Sequence, residues 1–289
     1  MKTSTSREKP RPLLILGQAP NAADLALRRI LHAKERGQPL VVVDYLGNLA
    51  ALLTERNKGN LHKSPLLWCD LGNRRRPTAL FRFRRSAGMK PALRGFLENC
   101  TGHLAEPVAG PTMDAVVELA HRLADQGSIG LAALAHSLRR PETSQPLRRN
   151  PDFAAELDRL VDMFDWALRF PSVWSLSEGN NFVDMNRHLA LGGTVWIELP
   201  STHFERLEHQ LVSSMVDAAL TDALLSRTTD APANTARCAP IILYGYPTAC
   251  PQPLATAEVD AKHVGLFPFS ATRPRPAAAR RWLAADADC

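Results

Sequence analysis

A loop near the N-terminus has the spacing of a phosphate-binding loop. Such loops have the form G-x-x-x-x-G-K-[ST] and lie between a buried strand and the helix that follows it. Here the apolar run 13–16 precedes Gly17, and residues 17–24 read Gly-Gln-Ala-Pro-Asn-Ala-Ala-Asp. The first glycine is kept, whereas Ala22, Ala23 and Asp24 occupy the positions of the second glycine, the lysine and the hydroxyl residue. The candidate loop residues are Gly17, Gln18, Asn21, Ala22, Ala23 and Asp24.

These three substitutions act against the binding of a nucleoside triphosphate. The lysine of such a loop meets the β- and γ-phosphates, and the hydroxyl residue holds magnesium. Ala23 removes the positive charge, and Asp24 adds a negative one that can itself cap the start of the helix. Two alternatives stay open: a capped turn without a ligand, and a divergent loop that still accepts a phosphate at Gly17 and the helix N-terminus.

Short apolar runs alternate with amphipathic helical stretches on both sides of the middle of the chain. This alternation is typical of strands and helices that form an α/β fold. We predict a three-layer α/β/α sandwich with a mostly parallel sheet. The predicted strands are 13–16, 40–43, 66–69, 194–199, 241–244 and 264–269, and the predicted helices are about 24–36, 49–54, 205–227 and 277–285.

The middle of the chain has helical periodicity instead. Helices are expected from about 113 to 170, interrupted by a loop at 139–151 that is rich in Pro and Arg. We therefore predict three parts. They are a disordered N-terminal arm at 1–12, an α/β domain formed by 13–112 and 190–289, and a helical insertion at 113–189.

Four further segments carry a family resemblance. They are VVVDYLGNL at 41–49, GTVWIEL at 193–199, PIILYGYP at 240–247 and FSATRP at 269–274. Together with the loop they resemble the HerA/FtsK superfamily of DNA-translocating P-loop ATPases, most of all the type IV coupling ATPases of conjugation. The resemblance implies a RecA-like scaffold. It also implies, as partner, a hexameric DNA-translocating or coupling ATPase and, as a further partner, DNA.

The catalytic positions of that superfamily are vacated in this chain. The resemblance places the acidic magnesium ligand and the catalytic glutamate where Tyr244, Gly245 and Tyr246 stand, and no carboxylate occurs between 238 and 256. Thr272 stands at the position of the sensor glutamine. Three catalytic elements are thus missing while the strands that bear them persist, which implies a scaffold without hydrolysis.

A basic stretch occupies residues 74–94, which contain no acidic residue. Within 79–85, alternation places Phe81 and Phe83 on one face and Arg82 and Arg84 on the other. Basic side chains beside aromatic ones suit a nucleic-acid backbone with stacked bases; an acidic protein partner and a solvated strand edge are the alternatives. The stretch contains Arg74, Arg75, Arg76, Arg82, Arg84, Arg85, Lys90 and Arg94.

Other features narrow the function classes. The five cysteines are widely spaced without a C-x-x-C pair, which argues against a disulfide framework and a zinc module. His203, Glu205, Glu208 and His209 lack metal-ligand spacing, and we expect them to form an exposed helix start. The N-terminal residues show no apolar stretch of signal-peptide length, and no apolar run is long enough to span a membrane. We therefore expect a cytoplasmic protein without a cofactor or metal.

Three functions follow as hypotheses. The first is a catalytically inactive ATPase-like protein that regulates or inhibits a DNA-transfer ATPase, for example in fertility inhibition. The second is a nucleotide-binding or hydrolysing protein with a divergent loop. The third is a DNA-binding adaptor that uses the basic stretch, and it is compatible with the first.

Overall fold

A computed structural model of the chain describes residues 22–57, 66–72, 78–101, 108–149, 151–230 and 241–245. The predicted strands 13–16 and 264–269, the helix 277–285 and the N-terminal arm lie outside the described residues. The helices within these ranges are α1 (Ala22–Glu35), α2 (Leu49–Asn57), α3 (Met89–Thr101), α4 (Gly110–Leu123), α5 (Leu131–Arg139), α6 (Pro141–Arg148), α7 (Pro151–Ala167), α8 (Pro171–Glu178), α9 (Met185–Ala190) and α10 (Arg206–Asp230).

The described strands form one four-stranded parallel sheet and one short parallel pair. The large sheet has the order β2-β5-β1-β6. Its strands are β1 (Leu40–Asp44), β2 (Leu66–Asp70), β5 (Thr194–Glu198) and β6 (Ile241–Tyr244), and the pair consists of β3 (Thr78–Ala79) and β4 (Asn181–Phe182). The four strands predicted within the described ranges are therefore present, and the predicted α/β class with a parallel sheet is confirmed.

Helices cover both faces of this sheet, as a three-layer sandwich requires. Alternate residues of a strand point to opposite faces. Val41 and Val43 of β1 join the first core cluster, which is built with side chains of α3–α5 and α7–α10. Leu40 and Val42 join the second core cluster, which is built with α1 and α2. All five residues of β1 are buried, because β1 is covered on both faces and paired on both edges.

The two helical connections described within the sheet run in opposite directions. From β1 the chain passes through α2, on the face of the second cluster, to β2 beyond β5. From β5 it passes through α10, on the face of the first cluster, to β6 beyond β1. Opposite directions on opposite faces are what two right-handed crossovers require. The chain therefore leaves the carboxyl ends of the neighbours β1 and β5 on opposite sides, which is the switch point at which open α/β sheets commonly bind ligands.

The helical middle of the chain differs in two ways from the sequence prediction. Residues 141–148, predicted as part of a loop, form α6; Pro141 stands in its first turn, where its missing N–H costs nothing. The run of helices also begins earlier, at Met89. The helices of the predicted insertion share the first core cluster with the sheet, and the proposed domain limits stay a prediction.

Helix α3 packs closely against α10 through Gly88. A Cβ atom at Gly88 would lie 2.4 Å from the backbone oxygen and 2.7 Å from the Cα of Asp222. Ser86 donates a short hydrogen bond to the Asp222 carboxylate and accepts one from the Met89 N–H at 3.0 Å. The start of α3 is thereby tied to α10 without room for a side chain.

Gly88→Ala should therefore lower the free energy of unfolding by about 1–3 kcal/mol, because the backbone of α10 would have to move. Gly110→Ala is the matched control, since its added Cβ would meet only the flexible end of Arg94, at 3.4 Å. Urea unfolding of both variants followed by circular dichroism measures the difference. Equal stabilities would contradict the close packing.

Candidate functional site

Three carboxylates end three neighbouring strands of the parallel sheet. Glu198, at the end of β5, is in register with Asp44 of β1 on one side and with Asp70 of β2 on the other. Tyr244 of β6 continues the row beyond Asp44. This row, Asp70–Glu198–Asp44–Tyr244, is called the carboxyl edge below. It includes the switch point between β1 and β5, the place where open α/β sheets commonly bind ligands.

Asp44 holds the turn that follows β1. Its carboxylate accepts hydrogen bonds from the backbone N–H groups of Leu46 at 3.0 Å, Gly47 at 2.8 Å and Leu49 at 2.8 Å. The side chain is fully buried, and burial raises its pKa, although these N–H groups act in the opposite direction. Gly47 has a φ of +70° and approaches Pro200, so the turn requires a glycine there.

Glu198 has the most strongly perturbed acid–base equilibrium of the carboxyl edge. Partial burial, with smaller contributions from the negative charges of Asp70 and Asp44, raises its pKa to about 7. A hydrogen bond with the side chain of Trp68 acts in the opposite direction. Glu198 therefore changes its charge near neutral pH, between two other carboxylates.

The end of β6 carries no carboxylate. Tyr244 is buried beside Asp44, and burial, followed by the negative charge of Asp44, raises the pKa of its hydroxyl. Gly245 follows with a φ of +72°, and a Cβ there would overlap Leu46. Tyr244 and Gly245, predicted from the resemblance to occupy vacated catalytic positions, lie at the carboxyl edge, whereas Tyr246 and Thr272 lie outside the described residues.

Only the end of the degenerate loop is described. Ala22 begins α1, and Asp24 lies in its first turn, where a carboxylate favours the helix dipole. Ala23, at the position aligned with the lysine, is half-buried and packs against the second core cluster. Gly17, Gln18 and Asn21 lie outside the described residues.

The carboxyl edge offers little to a metal ion or a phosphate. Within the described ranges, no three His, Cys, Asp or Glu side chains are placed to hold a metal ion. Among the same residues, no Lys or Arg forms an ion pair with Asp44, Asp70 or Glu198. The arrangement is therefore negative and uncompensated by basic side chains in this part of the chain.

The four His and Glu residues near the start of α10 were expected to be exposed together, and this prediction is wrong for two of them. His203 and Glu205 are exposed, whereas Glu208 and His209 are buried. Glu208 accepts a hydrogen bond from the Ser172 hydroxyl at 2.5 Å. Burial lowers the pKa of His209, whereas a hydrogen bond with the backbone of Leu199 acts in the opposite direction. Two of the four thus pack α10 into the molecule.

The basic stretch alternates as predicted over residues 81–84, although it forms no regular strand there. Phe81 and Phe83 are buried, Arg82 is half-buried and Arg84 is exposed. The backbone of Phe83 forms an isolated antiparallel bridge with Ile129. Arg74, Arg75 and Arg76 lie outside the described residues.

Acidic side chains compensate four of the five described positive charges of this stretch; Arg82, the fifth, has no ion pair among the described residues, and its buried Nε has no hydrogen-bond partner there. The nearest nitrogen–oxygen distances are 3.9 Å for Arg84 and Asp184, 2.7 Å for Arg85 and Asp125, 2.6 Å for Lys90 and Glu118, and 2.7 Å for Arg94 and Glu98. Arg94 also pairs with Asp114, and Arg84 lies 5.1 Å from the ring centre of Phe182. A local run of positive charge in the sequence is thus largely neutralised in space, which weakens its attraction for DNA phosphates.

The helices described here include none that is both long and apolar enough to cross a membrane.

Asp70 and Glu198 were not predicted from the sequence as members of a site. Their signal was present, because each carboxylate directly ends an apolar run, in Leu-Leu-Trp-Cys-Asp and Val-Trp-Ile-Glu.

The raised pKa of Glu198 makes stability depend on pH. The folded protein keeps a proton that the unfolded chain, with an ordinary pKa of 4.5, has released; stability therefore falls as pH rises from about 4.5 to 7. Glu198→Gln keeps an acceptor for Trp68 but removes the charge. At about pH 8 it should raise the free energy of unfolding by roughly 1–2 kcal/mol, a value reduced for the partial exposure of the side chain.

This gain should disappear below about pH 4, where both forms are neutral. Urea unfolding at a series of pH values measures it. The control is Glu205→Gln, since Glu205 is exposed. If both variants follow the pH profile of the unmodified chain, Glu198 is not the titrating group.

Comparisons of the chain with protein-family models, with curated proteins and with solved structures found no match. The function must therefore be inferred from the geometry of the carboxyl edge and from the sequence motifs.

Proposed function

We propose that this chain is a catalytically inactive, ATPase-like interaction protein. It binds a DNA-transfer ATPase of the conjugative coupling type, or the DNA that this ATPase moves, and regulates or inhibits it. The observation that carries the proposal is the carboxyl edge, where Asp70, Glu198 and Asp44 stand in a row at the switch point between β1 and β5. The choice of partner rests on the motif resemblance.

Electrostatics supports the absence of ATP chemistry. Helix α1 runs back along the sheet to β1, so it begins near the level of the carboxyl edge. A nucleotide phosphate at this edge would meet Asp70, Glu198 and Asp44, none of which pairs with a Lys or Arg among the described residues. Magnesium bound to the nucleotide reduces that repulsion, so the exclusion of Mg-ATP rests equally on the missing lysine. Ala23, half-buried against the second core cluster, supplies no charge that would compensate.

The alternative is a nucleotide-binding protein with a divergent loop. It is favoured by the strand order, since ligands of open α/β sheets bind outside the carboxyl ends where connections part. Such a ligand would have to meet Glu198 in its protonated form or bring its own cations. Calorimetry separates the two candidates.

We expect no heat of binding when the purified chain is titrated with Mg-ATP or Mg-GTP up to millimolar concentration, and no phosphate release. A competent coupling ATPase serves as the positive control. The double variant Asp70→Asn, Glu198→Gln is the matched comparison: weak nucleotide binding by this variant alone would identify the carboxyl edge as the excluding feature. Turnover by the unmodified chain would exclude the inactive-ATPase proposal.

Two exposed tryptophan side chains are suitable positions for a substitution that tests the proposed interaction with the ATPase. Trp174 of α8 is 52% exposed, and Trp166 of α7, which packs edge-to-face on Phe170, is 36% exposed. Exposed tryptophans are unusual on a surface without partners and are enriched at the energetic centres of interfaces. Leu191 is 72% exposed and not aromatic, which makes it a suitable control.

Production of the chain in donor cells should lower the frequency of plasmid transfer through a type IV coupling ATPase. Trp174→Ala should restore transfer, because loss of an aromatic contact of about 2 kcal/mol weakens binding more than tenfold. Leu191→Ala should inhibit like the unmodified chain at equal protein level. Undiminished transfer in the presence of folded chain would count against the proposed partner.

A further inference from the structure

A cavity lies between α3 and α10, on the first core cluster and away from the carboxyl edge. Its volume is about 160 Å³, whereas roughly 10–15 Å³ on the same scale suffices for one water molecule. The space is therefore too large for a packing defect. Its polar lining residues are Arg94, Glu98 and Asn99 of α3 and Ser214, Asp217 and Thr221 of α10.

Asp217 is the unusual member of this lining. It is only 5% exposed, and its Oδ1 has no hydrogen-bond partner among the described residues. Leaving a buried acceptor without a partner costs about 1–3 kcal/mol, and more when the group is charged. Burial accordingly raises the pKa of Asp217 well above its ordinary value.

Arg94, the cationic side chain of the lining, already has hydrogen-bond and ion-pair partners. Arg94 pairs with Glu98 at 2.7 Å, contacts Asp114 and donates to the Gly110 carbonyl oxygen at 2.9 Å. It is therefore not the partner of Asp217. Arg94 and Glu98 are the other titratable groups that line the cavity, and both lie on α3. The lining thus has a carboxyl group in excess.

The rest of the lining suits an alkyl chain with a hydrogen-bond donor at its end. Ser214, Asp217 and Thr221 follow one another at spacings of three and four residues, so their oxygens share one face of α10. Ala92 and Phe96 of α3 add an apolar wall. An ammonium group has three donors and no acceptor, which matches a site rich in acceptors.

We propose that this cavity is a binding site for a primary ammonium group on a short alkyl chain, held by the carboxylate of Asp217 and by the Ser214 and Thr221 hydroxyls. A free amine and the side chain of a protein lysine share this chemistry. The ionised form of Asp217 makes the ion pair, and any proton that the group carries in the free chain passes to solvent on binding. The site is independent of the proposed interaction with a DNA-transfer ATPase.

Isothermal titration of the folded chain with propylammonium tests this inference, and propan-1-ol, similar in size but uncharged, is the control ligand. We expect binding of propylammonium only, weakened at least tenfold by Asp217→Asn and less by Thr221→Val. Asp162→Asn is the control variant, since Asp162 is exposed on α7. Putrescine and Nα-acetyl-lysine methylamide, compared in the same way, distinguish a free amine from a protein lysine.

Proton linkage provides a test that needs no variant. Burial raises the pKa of Asp217, so a cation that requires the ionised carboxylate should bind more tightly as pH rises through the range in which this group titrates, by up to about tenfold per unit. Titrations of the unmodified chain with propylammonium between about pH 5 and pH 9 measure this change, and propan-1-ol is the control ligand. The inference is overturned if propylammonium does not bind, if propan-1-ol binds equally well, or if Asp217→Asn binds propylammonium as tightly as the unmodified chain.

Discussion

The described sheet depends on burial of the central strand β1 on both faces and both edges. A strand in that position must be apolar along its whole length, because every side chain enters a core. Leu40, Val41, Val42 and Val43 meet this requirement, and they divide between the two core clusters by simple alternation. The position of β1 places the next residue, Asp44, in the interior as well. The turn after β1 must therefore supply hydrogen bonds to a buried carboxylate, and three backbone N–H groups do so.

The parallel register aligns the ends of the neighbouring strands with the buried end of β1. With all four strands parallel, their last residues are level, so Asp70 and Glu198 come to stand beside Asp44. Asp44 has its N–H donors, and Asp70 accepts from the Gly72 N–H at 3.0 Å. Glu198, between them, has the side-chain hydrogen bond with Trp68 against two negative neighbours. The pKa of Glu198 is therefore raised to about 7, so that this side chain binds a proton near neutral pH.

Sequence patterns predicted the elements whose signal is local. The predicted limits of β1, β2, β5 and β6 agree with the structure within one residue, and those of α10 within three. Residues 141–148 were assigned to a loop because proline was read as a breaker, although proline is accepted in the first turn of a helix. The compensation of the basic stretch could not be predicted locally either, because Asp125, Glu118 and Asp184 are distant in sequence. The carboxyl edge required the strand order, which no local pattern contains.

The complete burial of one part of α10 could not be predicted from its local sequence pattern either. Its apolar stripe predicted a helix that packs on the sheet, yet the side chains from 211 to 221 are buried all round, polar ones included. A helix enclosed on every side has no solvent face on which to place Ser214, Asp217 and Thr221, so these groups must find partners within the fold. The close approach of α3 at Gly88 fixes where the two helices meet, and farther along the same pair a space remains in front of Asp217. A carboxyl group retained in such a place weakens the helix packing, because an apolar side chain of similar volume would stabilise it more. Asp217 is thus accounted for by a cationic occupant better than by the packing of α3 on α10.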